Sequence, residues 1–446
     1  MVHEINTGDT AWLLTSAALV LLMTPGLAFF YGGMVRAKGV LNMVMMSFVS
    51  TATVGVTWAV IGYSEAFGNS LGGIIGNPFQ FAFLDPLVNG NPTVGTVPAL
   101  AFAGFQGCFA IIAVALLSGA IAERTTFASW TTLSVLWLVL VYAPLAHWVF
   151  ASDGLTAAHG GWIVNRLHAV DLAGGTAIEI ACGAGGLALA IVLGRRIGFG
   201  VTPMRPHNMT LVMLGAGLLW FGWFGFNSGS ALVAGTWAAL IWVNTLLAPG
   251  AAMLAWLLVE RRRDGHATSL GAASGAVAGL VAITPSGGAV SPLGAMLIGL
   301  LAGATCAWAV SWKYRLGFDD SLDLVGVHLV GGIIGTLGVG LFADPRTATH
   351  ARGLFYGGGI GQLWRQAVAV LAVGTFSFMM TWLLARVVSR TMGMRVSAEA
   401  EISGIDLAEH SEAGYDLTPV QHSAFRGVSR THPHGTDEPP AGTVTA

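Results

Sequence analysis

Two ionisable residues lie well inside long apolar stretches of this 446-residue chain: Glu179 and His328. A charge at membrane depth is costly, so such residues usually face a pore or a partner. One acid and one imidazole at comparable depth suit proton-linked handling of a small weak base. Burial disfavours the charged form of each, so the two can share a proton if they approach. Two plainer readings stay open: a paired glutamate that locks helices, and a core histidine bonded to a carbonyl. Asp171, His147 and Asp323 sit nearer the ends of their stretches. Asp171 reads as a helix N-cap that can also lend negative potential to a vestibule. The run Trp223-Phe-Gly-Phe-Asn-Ser-Gly-Ser230 groups aromatic rings with small polar residues. Ring faces attract a small cation by roughly 0.5–2 kcal/mol.

Other chemistry has no footing. The sequence lacks a nucleotide-binding loop, a paired-cysteine metal site and a nucleophile elbow, so neither enzyme activity nor a metal or cofactor is expected. Cys108, Cys182 and Cys306 each lie in an apolar run and read as small buried residues. Net charge is −2, which argues against nucleic acid as a partner.

The elements that must position these residues are membrane spans. Hydrophobic residues make up 54% of the chain and charged residues only 9%. A soluble domain carries roughly 25% charge, so a lipid bilayer must cover most of this surface. The 62 glycines suit close helix approach. Eleven apolar runs are long enough to be read as spans: 11–33, 40–63, 97–121, 127–150, 171–193, 208–229, 235–259, 268–284, 292–311, 324–342 and 366–388. The eighth is short. The N-terminus has no Lys or Arg before the first run, so that run reads as a retained helix rather than a leader.

Basic residues alternate from loop to loop. Arg36, Lys38, Arg124, Arg195, Arg196, Arg205, Arg261, Arg262, Arg263, Lys313, Arg315, Arg386, Arg390 and Arg395 fall on one side. Arg166, Arg346, Arg352 and Arg365 fall on the other. The positive-inside rule then puts the N-terminus outside and the C-terminus inside. Runs one to five and six to ten would be inverted repeats, with a final helix after them. A weak echo supports this, between Asp171-Leu-Ala-Gly-Gly and Asp323-Leu-Val-Gly-Val. Residues 1–395 therefore read as a transmembrane domain and 396–446 as a cytoplasmic tail. The tail is acidic, then rich in Gly, Pro, His and Thr, and its last roughly 25 residues are expected to be disordered.

Several stretches resemble the ammonium transporter, methylammonium permease and Rhesus family, over about residues 10–418. They are Phe30-Tyr-Gly-Gly-Met-Val-Arg-Ala-Lys38, Phe105-Gln-Gly-Cys-Phe109, Gly119-Ala-Ile-Ala-Glu-Arg124, Asp171-Leu-Ala-Gly-Gly-Thr176, Trp223-Phe-Gly-Phe-Asn227 and Asp323-Leu-Val-Gly-Val-His328. The resemblance implies an all-α polytopic protein of the cell membrane, assembled as trimers with one ammonium pore per subunit. It implies that Phe109 and Phe226 stack as a gate. Phe109, Phe150, Phe226, Ser230, Asp171 and Trp223 would form an outer ammonium site. His328 matches the second of the family's twin pore histidines. Gly404-Ile-Asp406 and Ala413-Gly-Tyr415 resemble its regulatory C-terminus, which in many bacteria communicates with a PII signalling protein. Some members are ammonium sensors rather than transporters.

Two positions depart from the family. Glu179 stands where the first twin histidine is usual, although fungal relatives with glutamate there transport ammonium. Phe150 stands where the outer site usually has tryptophan. Phenylalanine keeps the ring face but loses an N–H, so weaker outer binding is expected unless a neighbour compensates. The following loop, 151–170, also reads as lengthened.

Overall fold

The computed structural model describes residues 4–415. The stretch expected to be disordered lies outside these residues. Ten helices are long and apolar enough to cross a membrane, and we number them with one shorter apolar helix among them. They are α1 (Thr7–Met34), α2 (Ala37–Phe67), α3 (Ala99–Ile121), α4 (Phe127–Phe150), α5 (Gly175–Leu193), α6 (Met209–Gly229), α7 (Thr236–Asp264), α9 (Pro292–Leu316), α10 (Val325–Phe342) and α11 (Gly361–Met392). The shorter one is α8 (Ser269–Ile283). In lipid a helix satisfies every backbone group internally, which is why the apolar runs become helices.

Helix starts follow local chemistry. Asn6, Asn208, Thr268 and Ser291 cap α1, α6, α8 and α9 through their side chains. The helices differ from the runs in instructive ways. At 15 residues α8 spans only about 22 Å, less than a bilayer core of about 30 Å. A buried turn, 284–290, follows it. By contrast α11 has 32 residues, so Arg365, Arg386 and Arg390 lie on the helix and not in loops. Helix α5 begins at Gly175, because Asp171 to Gly174 form its cap. Two small hairpins, Ser70–Leu71 with Ile75–Gly76 and Thr93–Val94 with Val97–Pro98, lie in the α2–α3 connection.

Loop 151–170 folds back on α4. A Cβ on Gly160 or Gly161 would overlap the Ala151 and His147 carbonyls, so only glycine admits this approach. His147 is structural here: its ring nitrogens bond the Ala66 carbonyl and Ser70 Oγ. Cys182 and Cys306 are buried, Cys108 is half-buried, and all three are free thiols.

At the end where α3, α5 and α9 finish, a buried ionic network ties the loops together. Arg196 pairs with Asp319 at 2.9 Å and with Glu123 at 2.7 Å, and Arg36 pairs with Glu123 at 2.6 Å. Arg124 holds Ser321 Oγ and the Asp319 carbonyl. Two short helices, α12 (Ala398–Ser403) and α13 (Ile405–His410), close this end. Asp406 accepts from the Leu41 and Asn42 N–H groups and Glu409 from the Phe127 N–H, capping α2 and α4. Glu401 accepts from Ile197 N–H and pairs with Arg395.

Burial raises the Glu123 carboxyl, but Arg196 and Arg36 together outweigh it and hold it below its ordinary 4.5. Burial likewise raises Asp319, while Arg196 and Arg124 bring it below its ordinary 3.8. These two groups contribute stability above their unfolded pKa values and lose it as pH falls through the lowered folded values. Asp320 has the opposite sign. Burial, only partly offset by Lys313, pushes it up to about 6. Burial also raises Asp406, against the helix N–H groups it accepts from. Acidification from neutrality therefore first relieves Asp320 and Asp406. Thermal stability in detergent is expected to hold from about pH 7 to 5 and fall below about pH 4. A steady loss beginning near pH 6.5 would contradict this assignment.

Candidate functional site

Helices α5 and α10 each open with a π-helical turn, Gly175–Ile180 and Val325–Leu329. Such turns recur at functional positions because they re-aim side chains. One carries Glu179 and the other His328, and they meet: His328 Nδ1 lies 2.6 Å from Glu179 Oε2. Both residues are buried, and Glu179 Oε1 has no protein partner among the described residues. Small residues permit the meeting. A Cβ on Gly183 would lie 2.5 Å from Leu329, and one on Gly332 would lie 3.1 Å from Glu179 Cβ.

Each π turn is anchored by an aspartate. Asp171 Oδ1 accepts from the Gly174 and Gly175 N–H groups, and Oδ2 from Thr176 N–H and Oγ1. Its N-cap reading is thus realised, with every bond satisfied locally. At α10 the capping acid is Asp320, which accepts from Val325 N–H at 2.7 Å. Asp323, the residue the sequence echo aligned with Asp171, instead pairs with Lys313 at 2.7 Å, on a left-handed backbone with φ of 64°.

A path passes through the pair. At one end is a wide vestibule, about 580 Å³, whose wall includes Gln106, Phe109, Phe150, Asp171, Ser230 and Trp237. Phe109 and Phe226 stack face to face across its floor, 4.1 Å between centroids and 5° apart in plane. Beyond Phe226 lies an enclosed apolar lumen lined by Leu27, Ile112, Trp223, Phe226, Glu179 and His328. About 10 Å³ is open to the centre of a water-sized molecule, enough for one. The lumen shares Phe30, Val277 and His328 with a further small cavity that reaches Asp323. That cavity shares Met34, Leu322 and Asp323 with a second vestibule of about 360 Å³, which Arg196 and Lys313 also line.

The sequence-derived residues fall along this path in order, with one displacement. Phe150, Ser230 and Asp171 line the wide vestibule, with Phe109 at its floor. Trp223, grouped by resemblance with the outer site, lies on the lumen side of Phe226, and its N–H donates to Thr284 Oγ1 at 2.8 Å. Ser230 Oγ donates to the Phe226 carbonyl, so its lone pairs remain for a guest. Two vestibule residues were missed. Trp237 donates its N–H to the Gly288 carbonyl and offers only ring surface. Gln106 is 7% exposed and its Oε1 has no protein partner among the described residues. The signal for Gln106 was present: an amide inside a strongly apolar run, one turn before Phe109.

Membrane-length helices enclose two vestibules joined by a ring-capped lumen, the architecture of a multi-pass membrane transporter. Comparison with known proteins makes this specific. The model of the Ammonium Transporter Family matches residues 11–415, and the chain belongs to that family. An ammonium transporter of Mycobacterium tuberculosis (strain ATCC 25618 / H37Rv) is 56% identical over 439 residues, covering 94% of this chain and 92% of the relative. Among solved structures, Saccharomyces cerevisiae Mep2 superposes with a TM-score of 0.82 at 32% identity, covering 89% of each chain. A protein described as a sensor Amt protein superposes with a TM-score of 0.83 at 30% identity, covering 90% of this chain and 98% of its own.

Proposed function

We propose that this protein carries ammonium across the cell membrane, admitting the ion at the wide vestibule and passing ammonia by Glu179 and His328. The observation that carries this reading is the hydrogen-bonded Glu179–His328 pair, lining an apolar lumen behind a closed ring stack. A naked ammonium ion in such a lumen would be severely penalised. Its proton therefore passes to vestibule water near the Phe109–Phe226 gate, and neutral ammonia moves on. Glu179 Oε1 accepts a hydrogen bond from the passing molecule while the pair shares a proton. Kinship with ammonium transporters supports the choice of substrate.

In this reading the wide vestibule faces outside and the second faces the cytoplasm, in accord with the basic loops. The protein has eleven spans, with α8 as the short one, arranged as five plus five inverted and one more. The paired π turns of α5 and α10 support that symmetry. Residues from 396 onward form the cytoplasmic regulatory tail. The working assembly is a homotrimer, and the cytoplasmic face suits a PII-type partner. At the outer site Phe150 supplies a ring face, Asp171 fixes the entrance backbone, and Gln106 supplies the acceptor that offsets the lost tryptophan N–H.

Gln106→Leu is expected to raise the half-saturation concentration for ammonium about tenfold, the worth of one hydrogen bond to a charge. Ammonium-evoked current on a solid-supported membrane tests the proton's route. A transient current in active proteoliposomes means the proton follows ammonia. Accumulation without current means it returns outside. The second reading, an ammonium sensor, draws on the superposed sensor Amt protein. It predicts ammonium binding with neither accumulation nor current.

A further inference from the structure

Resting on the wide vestibule as the ammonium entrance, we infer that Gln366 of α11 is a positioning residue that sets the affinity of that entrance by holding its wall. One wall of the vestibule is a single stretch of backbone, residues 168–172. It belongs to neither a helix nor a strand. The backbone groups of such a segment still need partners once water is excluded. Two side-chain amides one turn apart on α11, Gln362 and Gln366, meet three of them.

Gln366 Oε1 accepts from Val170 N–H at 2.8 Å, and Gln366 Nε2 donates to the Val170 carbonyl at 2.7 Å. One amide thus pairs both backbone groups of one residue, as a neighbouring strand would. Nε2 also donates to the Thr336 carbonyl of α10 at 3.2 Å. Gln362 Nε2 donates to Gln366 Oε1 at 3.1 Å and to the His168 carbonyl at 3.4 Å. Further along, Leu172 N–H donates to the Pro285 carbonyl at 3.1 Å. Gln366 itself is fully buried behind this wall. An amide in an apolar span is costly unless its groups are met, and here each of them is.

The next residue after Val170 is Asp171, so the clamp fixes the peptide that carries it. The Asp171 carboxylate keeps its negative charge while it accepts from neutral groups, and its place in the wall sets the potential an entering cation meets. Without the amide, Val170 N–H and its carbonyl must turn toward water, and the wall turns with them. Ammonium then loses a fitted entrance. The Glu179–His328 pair is held by its own helices and stays in place.

The test is the half-saturation concentration and maximal rate of ammonium uptake in proteoliposomes, read well below the melting temperature. Gln366→Met keeps the shape of the side chain and removes every hydrogen bond. It should raise half-saturation about tenfold and leave the maximal rate within about threefold of wild type. Gln366→Asn keeps an amide but falls one methylene short of Val170. It should behave as Gln366→Met does, and it keeps the test open if that variant does not reach the membrane. Gln366→Glu at about pH 5.5 should stay within about twofold of wild type, because a neutral carboxylic acid donates and accepts as the amide does. Wild-type half-saturation in Gln366→Met or Gln366→Asn, whatever happens to melting or maximal rate, overturns the positioning role alone. So does Gln366→Glu no better than Gln366→Met at that pH. A wild type that takes up no ammonium overturns the entrance reading and the positioning role with it.

Discussion

Glu179→Gln should lower ammonium flux at least tenfold, measured from about pH 5 to 8. The amide matches the carboxylate in shape and keeps a hydrogen bond to His328, so the fold and lumen survive. It cannot take or give a proton, and losing a positioned proton carrier typically costs 10² to 10⁴ in rate. The tenfold figure is the floor, since His328 retains one titratable group. Proteoliposome flux over that pH range checks it. A variant with wild-type flux and pH profile would show that ionisation of this carboxyl is irrelevant.

Gly183→Ala should be nearly as damaging, although the residue touches no guest. Its added methyl would sit 2.5 Å from both Leu329 N and Cβ, well inside van der Waals contact. Leu329 follows His328 directly, so relief requires moving the start of α10 away from α5. A displacement of a few tenths of an ångström lengthens the 2.6 Å contact between Glu179 and His328. Overpacking of this kind costs about 1–3 kcal/mol in stability. We expect a protein that still reaches the membrane, melts several degrees lower, and transports at less than about a tenth of the wild-type rate. Full transport with unchanged melting would mean that the helix approach does not position the pair.

Much of the fold was legible because a bilayer imposes one rule on every span: apolar and helical. Depth in an apolar run isolated Glu179 and His328 on physical grounds before any family resemblance. What composition could not reveal was which side chain makes which bond. The Asp171 and Asp323 motifs look alike, yet the α10 cap is Asp320, because Asp323 is drawn to Lys313. Trp223 and Phe226 share one stretch of sequence, yet Phe226 closes the gate and Trp223 lies on its lumen side, since three residues along a helix also advance it by about 4.5 Å. Gln106 was hidden by its own quietness, a lone amide whose importance rests on what fails to bond it. Arg365 was counted as a loop charge on the sparse side, and only the fold brings it over the vestibule with His168 and His350.

The most direct measurement of the central claim is ammonium-driven alkalinisation or accumulation in proteoliposomes of the purified protein, beside protein-free vesicles. Saturable uptake by the wild type, lost in Glu179→Gln, is the predicted result. Specific binding of ammonium with no transfer into the lumen of the vesicle would contradict it, and would assign this protein to the sensors.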